Sequence, residues 1–327
     1  MDALVWKIGD VKVTGVVETE VERSRSLLFP DFEPAVLQDH PWLTSEFVSP
    51  GGLGRFSVHS YVRKSFGRRI VIDTCYGNGK VRRYSQTGNS LDLPFLADLQ
   101  RTGYPVGAID TVVCTHLHSD HVGWNTRIQD GKFVAIFPNA RHLISSLEYD
   151  CWRRARDAAE PSFEGDQAAA FSDSIAPLVQ EGLVDQVDGE YWVTPEVAVV
   201  PAPGHSPGHS CVRISSQGRE AWITGDSAHH PIQLIHPEWG FPEITMSSRL
   251  GKPGSHCGSG ALINPSSFLV AIGPGATRYT FDVLERVPHC ARRRTWSGRR
   301  RLQVAAGAIM RRRVNERLRG RKRGGAG

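Results

Sequence analysis

The sequence lacks the features that mark membrane-spanning and secreted proteins. No run approaches the roughly 20 apolar residues of a membrane-spanning helix. The N-terminal segment lacks the charged-then-apolar layout of a signal peptide, so we expect a cytoplasmic protein without a membrane partner. The six cysteines include no C-x-x-C pair, and Cys114 and Cys211 lie in apolar runs, where a free cysteine serves as a small core residue. The 327 residues, 40% of them hydrophobic, are enough for one large domain or two ordinary ones.

Charge is distributed unevenly along the chain. Residues 244–327 carry 18 Lys and Arg against 3 Asp and Glu, whereas residues 1–243 carry 21 against 31. Blocks of like charge repel each other and resist compaction. We therefore predict a folded domain over residues 1–243 and a basic, Arg-rich, poorly ordered region over residues 244–327.

Apolar β-branched runs and turn signals predict strands on both sides of a helical insert. The predicted elements are two strands within 5–20, strands at 57–62, 69–74, 111–115, 133–137 and 141–144, helices at 91–102, 145–159 and 166–180, and strands again between 183 and 225. This order is typical of an α/β (α+β) sandwich of two mixed β-sheets flanked by helices. The Pro-rich segment 21–56 is predicted to be a long loop.

The run His-Leu-His-Ser-Asp-His at residues 116–121 places four metal-capable side chains within six residues. It directly follows the strand-like run 111–115, so its side chains leave the end of a strand and enter a loop, where they can converge on an ion. Imidazoles together with a carboxylate suit zinc, and also manganese, iron or cobalt. The run therefore predicts part of a metal site.

Two later strand ends carry further metal-capable side chains. His205 lies in the Gly/Pro-rich run 203–209, which follows the apolar run 197–201. Asp226 follows the strand-like run 221–224. Three strand ends in succession thus supply ligands, which favours one shared metal site over a chance cluster of exposed histidines.

Together and in this order, these residues resemble the metal-binding pattern of the metallo-β-lactamase superfamily over roughly residues 5–243. The resemblance implies an αββα sandwich and a site for one or two zinc ions. The implied ligands are His116, His118 and His205 for a first ion, Asp120 and His121 for a second ion, and Asp226 as a bridge between them.

The resemblance also implies a reaction. The expected protein is a metal-dependent hydrolase that directs a metal-bound hydroxide at a small ester-like substrate such as a lactone, ester or phosphotriester. Asp120 would be the catalytic carboxylate that orients the hydroxide. The bridging Asp226 and the His-His-Pro-Ile-Gln run at 229–233 are most similar to the lactonase and organophosphate-hydrolase-like members. The alternatives are a glyoxalase II-like thioester hydrolase, a β-lactamase and an oxygen-dependent iron enzyme.

One part of the pattern departs from the family. Its members usually supply a further histidine after a C-terminal strand, but the strand-like run 268–272 continues into Gly-Pro-Gly. His256 and His289 are weak substitutes, because neither follows a strand. The last strands of the domain are then missing or altered, and an impaired or inactive scaffold with an incomplete second metal site is the rival interpretation.

The Arg-rich ending has three interpretations. It could bind nucleic acid through phosphate neutralisation, although no aromatic interleaving accompanies the arginines. It could be a solvated appendage. A change of reading frame would produce an Arg-rich ending and remove the expected histidine together.

Several residues near the pattern have expected supporting roles. His229 and His230 are predicted to line the pocket or to contact the ligands from behind. Trp124 is predicted to pack under the site or to floor a substrate pocket. Asp73 is predicted to be a hydrogen-bonding residue and His209 to be structural. The expected partner is a small-molecule substrate, and the helical insert is a candidate dimer surface.

Overall fold

The computed structural model describes residues 4–23, 47–85, 87–157 and 163–234, together with the backbone of three strands farther along the chain. Within these residues, sixteen strands form two large sheets and one hairpin. Their bounds are β1 Leu4–Ile8, β2 Val11–Arg23, β3 Gly54–Ser65, β4 Arg68–Ile72, β5 Thr111–Val113, β6 Thr126–Gln129, β7 Lys132–Ala135, β8 Arg141–Ser145, β9 Val184–Val187, β10 Tyr191–Thr194, β11 Val197–Pro201, β12 Ser210–Ser216, β13 Arg219–Ile223, β14 Leu269–Ile272, β15 Thr280–Val283 and β16 Leu302–Gln303.

The first sheet is mixed, with the strand order β1-β2-β3-β4-β5-β8-β9. Strands β1 to β4 pair antiparallel, and β4, β5, β8 and β9 pair parallel. The central parallel strands β4 and β5 carry apolar runs because both faces of the sheet are covered there. Val71 and Val112 face the helices, whereas Ile72 and Val113 face the second sheet.

The second sheet has the order β10-β11-β12-β13-β14-β15-β16, and every pair described in it is antiparallel. Side chains of β12 alternate between the two faces, so that Val212 and Ile214 enter the core between the sheets while Arg213 points away from it. Of the two sheets predicted to be mixed, only the first has parallel pairs among the described residues.

Five described α-helices lie against the outer face of the first sheet, where each contributes to one apolar core. Their bounds are α1 Phe95–Arg101, α2 Ser119–Val122, α3 Ser146–Asp157, α4 Phe163–Ala170 and α5 Ala176–Gln180, with a π-helical turn at Phe171–Ile175 between the last two. In the described ranges, no helix is both long and apolar enough to cross a membrane. The predicted sandwich of two sheets flanked by helices is confirmed.

Some elements differ from the sequence-based prediction. Strands β2 and β3 extend into the segment predicted as a loop, because their residues pair with each other, as Glu22 does with Arg55. Strand β7 overlaps the strand predicted at 133–137, but its hairpin partner β6 was not predicted, since β6 has little apolar alternation. Three strands beyond residue 243 join the second sheet. The other residues of 235–327 lie outside the described part, so the division at residue 243 stays a prediction.

Candidate metal centre

Loops at one edge of the sandwich carry all the predicted metal ligands. The run 116–121 leaves the end of β5 and turns into α2, which begins directly after His118. His205 lies in the turn after β11, and Asp226 lies in a short 3-10 turn after β13. Because these strands end at the same edge, side chains about 110 residues apart in the chain come together in a buried site.

Asp73, at the end of β4, holds the start of the metal-binding run. Its carboxylate accepts hydrogen bonds from the backbone N–H and the hydroxyl of Thr115, both at 2.8 Å. Its Oδ2 also lies 2.9 Å from Nδ1 of His121. A proton on Nδ1 donated to Asp73 leaves Nε2 of His121 as the atom that faces the cluster. Asp73 thus has the hydrogen-bonding role expected from the sequence.

The turn after β4 also holds the end of the run through its backbone. The N–H of Thr74 donates to the carbonyl of His121 at 2.7 Å, and the N–H of Gly123 donates to the carbonyl of Cys75 at 2.7 Å. A side chain at position 123 would overlap the carbonyl of Tyr76. Glycine is therefore required at this position, because the two backbones approach too closely for a Cβ atom.

His209 positions Asp226. The backbone N–H of Asp226 donates to Nε2 of His209 at 2.9 Å, and Nδ1 of His209 lies 3.1 Å from the carbonyl of Ala202. This pair of contacts requires a neutral ring with its proton on Nδ1. Burial lowers the pKa of His209 to about 4, which keeps the ring neutral at physiological pH. His209 is therefore structural, as expected from the sequence.

Glu148, on α3, connects the two loops that carry the histidine ligands. Its carboxylate accepts hydrogen bonds from the N–H of Leu117 at 3.2 Å, the hydroxyl of Ser206 at 2.9 Å and the N–H of Gly208 at 2.8 Å. The indole N–H of Trp152 donates to the same carboxylate at 2.7 Å. Burial raises the pKa of Glu148, while its four donors favour the ionised form. The carboxylate fixes the loops of His118 and His205 relative to each other.

Asp226 lies at the centre of the candidate site. Its Oδ1 is 3.2 Å from Nε2 of His121. Its Oδ2 is 3.3 Å from Nε2 of His229, 3.4 Å from Nε2 of His205 and 3.9 Å from Nε2 of His116. The two carboxylate oxygens thus face different imidazoles, which is the arrangement that a bridging ligand needs.

The remaining predicted ligands lie around this carboxylate. Nδ1 of His118 is 2.9 Å from Nε2 of His205, and Oδ1 of Asp120 is 3.9 Å from Nε2 of His121. Three overlapping sets of side chains have ligand atoms within 4.8 Å of one another. The sets are His116, His118 and His205; His116, His121 and Asp226; and His205, Asp226 and His229.

Unsatisfied buried atoms show that the residues fit a cation. Nε2 of His116, Nε2 of His121 and Oδ1 of Asp226 have no hydrogen-bond partner among the described residues. A buried polar atom without a partner costs free energy, so a group of them indicates a ligand. Two imidazole nitrogens and one carboxylate oxygen are donors that zinc accepts, and one cation would satisfy all three.

The electrostatics of the metal-free site favour the metal-binding forms of four ligands and oppose those of two. Burial lowers the pKa of His118 to about 3 and holds the pKa of His116 and of His205 well below its usual range, so the three rings are neutral. Burial alone would raise the pKa of Asp226, but His121 and His229 outweigh it and hold that pKa low. Neutral imidazoles and an ionised carboxylate are the forms that bind metal. Burial raises the pKa of Asp120 to about 7, and the carboxylates of Asp226, Asp73 and Asp120 outweigh burial and hold the pKa of His121 well above its usual range, so a cation must displace those protons.

Two residues considered for the pocket instead pack inside the protein. The Trp124 ring stacks on Phe95 with centroids 5.5 Å apart, and its indole N–H donates to Glu18 at 2.6 Å. The nitrogen Nε2 of His230 lies 3.1 Å from the carbonyl of Phe47. For Trp124, the geometry agrees with packing under the site and not with the floor of a substrate pocket. For His230, it agrees with a supporting position and not with the pocket lining.

The remaining histidine candidates are His229, which reaches the centre, and the two weak C-terminal substitutes. His229 directs Nε2 at Asp226 and belongs to one of the three ligand sets. His256 and His289 lie outside the described residues.

Glu148 and Glu18 are the functional-site residues that sequence reasoning missed. On α3, Glu148 shares one buried helix face with Cys151 and Trp152, and this i, i+3, i+4 spacing was the available signal. On β2, Glu18 lies two residues after the core residue Val16, so strand alternation places it on the same buried face. A carboxylate on an apolar face needs buried donors, and in both cases those donors belong to the site's supporting loops.

Comparison with known proteins places the chain in a family. The fold and the cluster define a two-sheet sandwich with a buried histidine–aspartate centre of the metal-binding kind. A family model described as the metallo-beta-lactamase superfamily matches residues 53–249. The chain therefore belongs to the metallo-beta-lactamase superfamily, and it is a lactonase-like metallo-hydrolase of that superfamily.

Relatives within the family agree with this assignment. The N-acyl homoserine lactonase AiiA of Bacillus thuringiensis subsp. kurstaki is 23% identical over 225 residues, covering 64% of this chain and 80% of that protein. A probable metal-dependent hydrolase from Staphylococcus aureus has a TM-score of 0.57 at 21% identity, covering 75% of this chain and 86% of that one. The dizinc quorum-quenching lactonase AidC has a TM-score of 0.54 at 21% identity, covering 76% and 84%. The two structures show the fold that this chain shares.

Proposed function

We propose that this chain is a two-metal hydrolase of small ester-like substrates, with a lactone as the first candidate. The observation that carries the proposal is the arrangement of side chains from three strand ends around Asp226, whose two oxygens face different imidazoles. The similarity to N-acyl homoserine lactonases supports the choice of a lactone.

We assign the residues present to two ions, as the resemblance to the superfamily implies. His116, His118 and His205 would hold one ion, Asp120 and His121 would hold the other, and Asp226 would contact both. Zinc is the first candidate, with manganese, iron or cobalt as alternatives for the same donors. When bound, such ions lower the pKa of a water toward neutrality and polarise the carbonyl oxygen of the substrate.

The protein's own residues would supply orientation. Asp120 is buried beside His121, where its carboxylate can orient the attacking water toward the substrate. Asp73 fixes the ring of His121 and Glu148 fixes the loops of two histidines, so the ligands are arranged before an ion binds. Preorganised ligands of this kind are a common requirement of metal-dependent catalysis.

Metal content is the first test. Elemental analysis of the purified full chain for zinc, manganese, iron and cobalt should give about two ions per chain. The chelated protein should lose hydrolysis of an N-acyl homoserine lactone and regain it when zinc returns. One ion or none, with no lactone hydrolysis after zinc is restored, would contradict the proposal and favour the impaired scaffold.

Substrate class is the second test. The metal-loaded protein should be assayed with a lactone, an aryl ester, a phosphotriester, a glutathione thioester and a β-lactam at equal enzyme concentration. We expect the highest kcat/KM for the lactone. If kcat/KM is highest for the thioester, the centre has a glyoxalase II-like activity instead. If it is highest for the β-lactam, the centre has a lactamase activity instead.

A further inference from the structure

Among the described residues, the three ligand sets contain one side chain beyond the six expected ligands. His229 lies three residues after Asp226 and is 2% exposed. Its Nε2 is 3.3 Å from Oδ2 of Asp226. This histidine therefore reaches the same carboxylate oxygen that His205 reaches at 3.4 Å.

The three side chains together form a separate ligand set. The ligand atoms of His205, Asp226 and His229 lie within 4.8 Å of one another, and the rings of His205 and His229 have centroids 5.1 Å apart. The set uses the Oδ2 side of Asp226, whereas His121 faces Oδ1. Two imidazoles and one carboxylate with a fourth position open are a ligand set that catalytic zinc sites use.

The backbone of the segment holds His229 in place independently of any metal. The N–H groups of His229 and His230 both donate to Oε1 of Gln233, at 2.7 and 3.0 Å. The adjacent His230 turns the other way, and its Nε2 lies 3.1 Å from the carbonyl of Phe47. Two neighbouring histidines of equal burial thus have different surroundings, and only His229 faces the centre.

We propose that His229 is a seventh metal-binding residue, which holds an ion together with His205 and Asp226. The proposal rests on the proposed function, because it requires that the centre bind metal. It gives the centre a further ligand from within the described part of the chain. Because His205 and Oδ2 of Asp226 lie on the side assigned to the first ion, His229 would complete the ligands of that ion, and the second ion keeps Asp120, His121 and Oδ1 of Asp226.

The test compares His229→Gln with the matched control His230→Gln. Zinc stoichiometry is measured by elemental analysis, zinc affinity by competition with a chromophoric chelator, and coordination by the visible absorption of the cobalt-substituted protein. We expect His229→Gln to lose one ion per chain or to weaken one zinc site at least about 10-fold, with a changed cobalt spectrum. His230→Gln should keep the stoichiometry and the spectrum of the wild type.

A third variant separates a ligand from a packing residue. His229→Cys returns a metal-binding atom to the position, so it should recover zinc binding and add a thiolate-to-cobalt charge-transfer band. Circular dichroism of the metal-free variants shows whether each has folded, and His229→Cys remains informative if the Gln variant has not. Absence of the band in a folded, metal-loaded His229→Cys protein would overturn the proposal.

The outcomes distinguish this proposal from the proposed function. Wild-type protein that binds no metal would overturn both. Wild-type protein that binds two ions, with His229→Gln unchanged and His256→Gln or His289→Gln depleted, would overturn only the role of His229.

Discussion

Two buried polar clusters of this protein differ in how their groups are satisfied. In the Asp173 cluster, formed by Lys80, Arg82, Thr126 and Asp173, both carboxylate oxygens accept from Arg82, at 2.7 and 2.9 Å. The ammonium of Lys80 donates to the hydroxyl of Thr126 at 2.6 Å and lies 3.5 Å from Asp173. In the metal centre, by contrast, buried imidazole and carboxylate atoms face one another without a hydrogen-bond partner.

This difference indicates a structural role for the Asp173 cluster and a metal-binding role for the other cluster. In the Asp173 cluster, the protein's own cations Arg82 and Lys80 surround the carboxylate, so both of its oxygens are satisfied without a ligand, although Nε of Arg82 has no hydrogen-bond partner among the described residues. The histidines of the metal centre would repel one another if charged, and burial keeps three of them neutral. Neutral donors around one carboxylate form an incomplete cluster that a cation completes. The same burial therefore produces a structural ion network in one place and a metal-binding centre in the other.

The largest expected effect comes from removing the central carboxylate of the metal centre. Asp226→Asn keeps the size of the side chain but removes the charge that faces four histidines. We expect lactone hydrolysis to fall below detection and metal affinity to fall more than about 100-fold, because even groups that only orient a ligand contribute about 10–100-fold. Elemental analysis and chelator competition measure the affinity. Two tightly bound ions in this variant would contradict the comparison, because the metal centre would then not need its central carboxylate.

Breaking the Asp173 cluster should affect stability instead of metal binding. Asp173→Ala leaves Arg82 and Lys80 buried without their counter-ion, which should cost about 3–5 kcal/mol of unfolding free energy. Urea unfolding of the metal-free protein measures this loss. The control is Asp185→Ala, which removes a half-exposed partner of Arg141 and should cost less than about 1 kcal/mol. Equal losses in the two variants would show that the Asp173 cluster contributes no more than a surface pair.

Glu18 tests a third kind of buried carboxylate, which has donors but no cation. It accepts from the N–H groups of Tyr76 and Gly77 and from Trp124, yet burial raises its pKa from 4.5 to about 7. In the unfolded chain the Glu18 carboxyl ionises above pH 4.5, whereas in the folded chain it ionises only near pH 7. The unfolding free energy of the wild type should therefore fall as the pH rises from 4.5 to 7. The loss is on the order of 3 kcal/mol.

The variant Glu18→Gln isolates that loss because it cannot ionise. Its unfolding free energy should lack the decrease between pH 4.5 and 7, so the difference between the two proteins should change in favour of the variant as the pH rises. Urea unfolding at several pH values measures the difference. Parallel stability curves would mean that the three donors keep Glu18 ionised throughout.

The smallest expected effect concerns the support of the metal centre. Glu148→Gln keeps the size of the side chain but presents an amide N–H₂ to groups that are themselves donors. Zinc affinity should fall about 10–100-fold, as for other groups that orient metal ligands, while the exposed control Glu181→Gln should be unchanged. Chelator competition measures the affinity, and thermal unfolding of the metal-free protein checks the fold. A loss of thermal stability with unaltered zinc affinity would limit Glu148 to a packing role.

Much of the fold could be predicted because strands and helices leave regular patterns in a sequence. The β4, β5 and β11 segments contain apolar β-branched runs, and α3, Ser146–Asp157, lies within the helix predicted at 145–159. Local rules did not reveal α2 or β6, the hairpin partner of β7, because each is only four residues long. The continuation of β2 and β3 depended on pairing between strands that a Pro-rich segment separates.

The residues that could bind metal were determined by the sequence itself, since histidines and aspartates grouped at successive strand ends are typical of a metal site. Tertiary structure decided how they are arranged. The roles of Glu148, Glu18 and His229 depend on contacts between segments from about 25 to more than 100 residues apart. Neighbouring histidines at 229 and 230 look alike in the sequence, yet one faces Asp226 and the other contacts Phe47. Residue type limits which atoms can act as ligands, but only the packing of distant segments brings those atoms within reach of one ion.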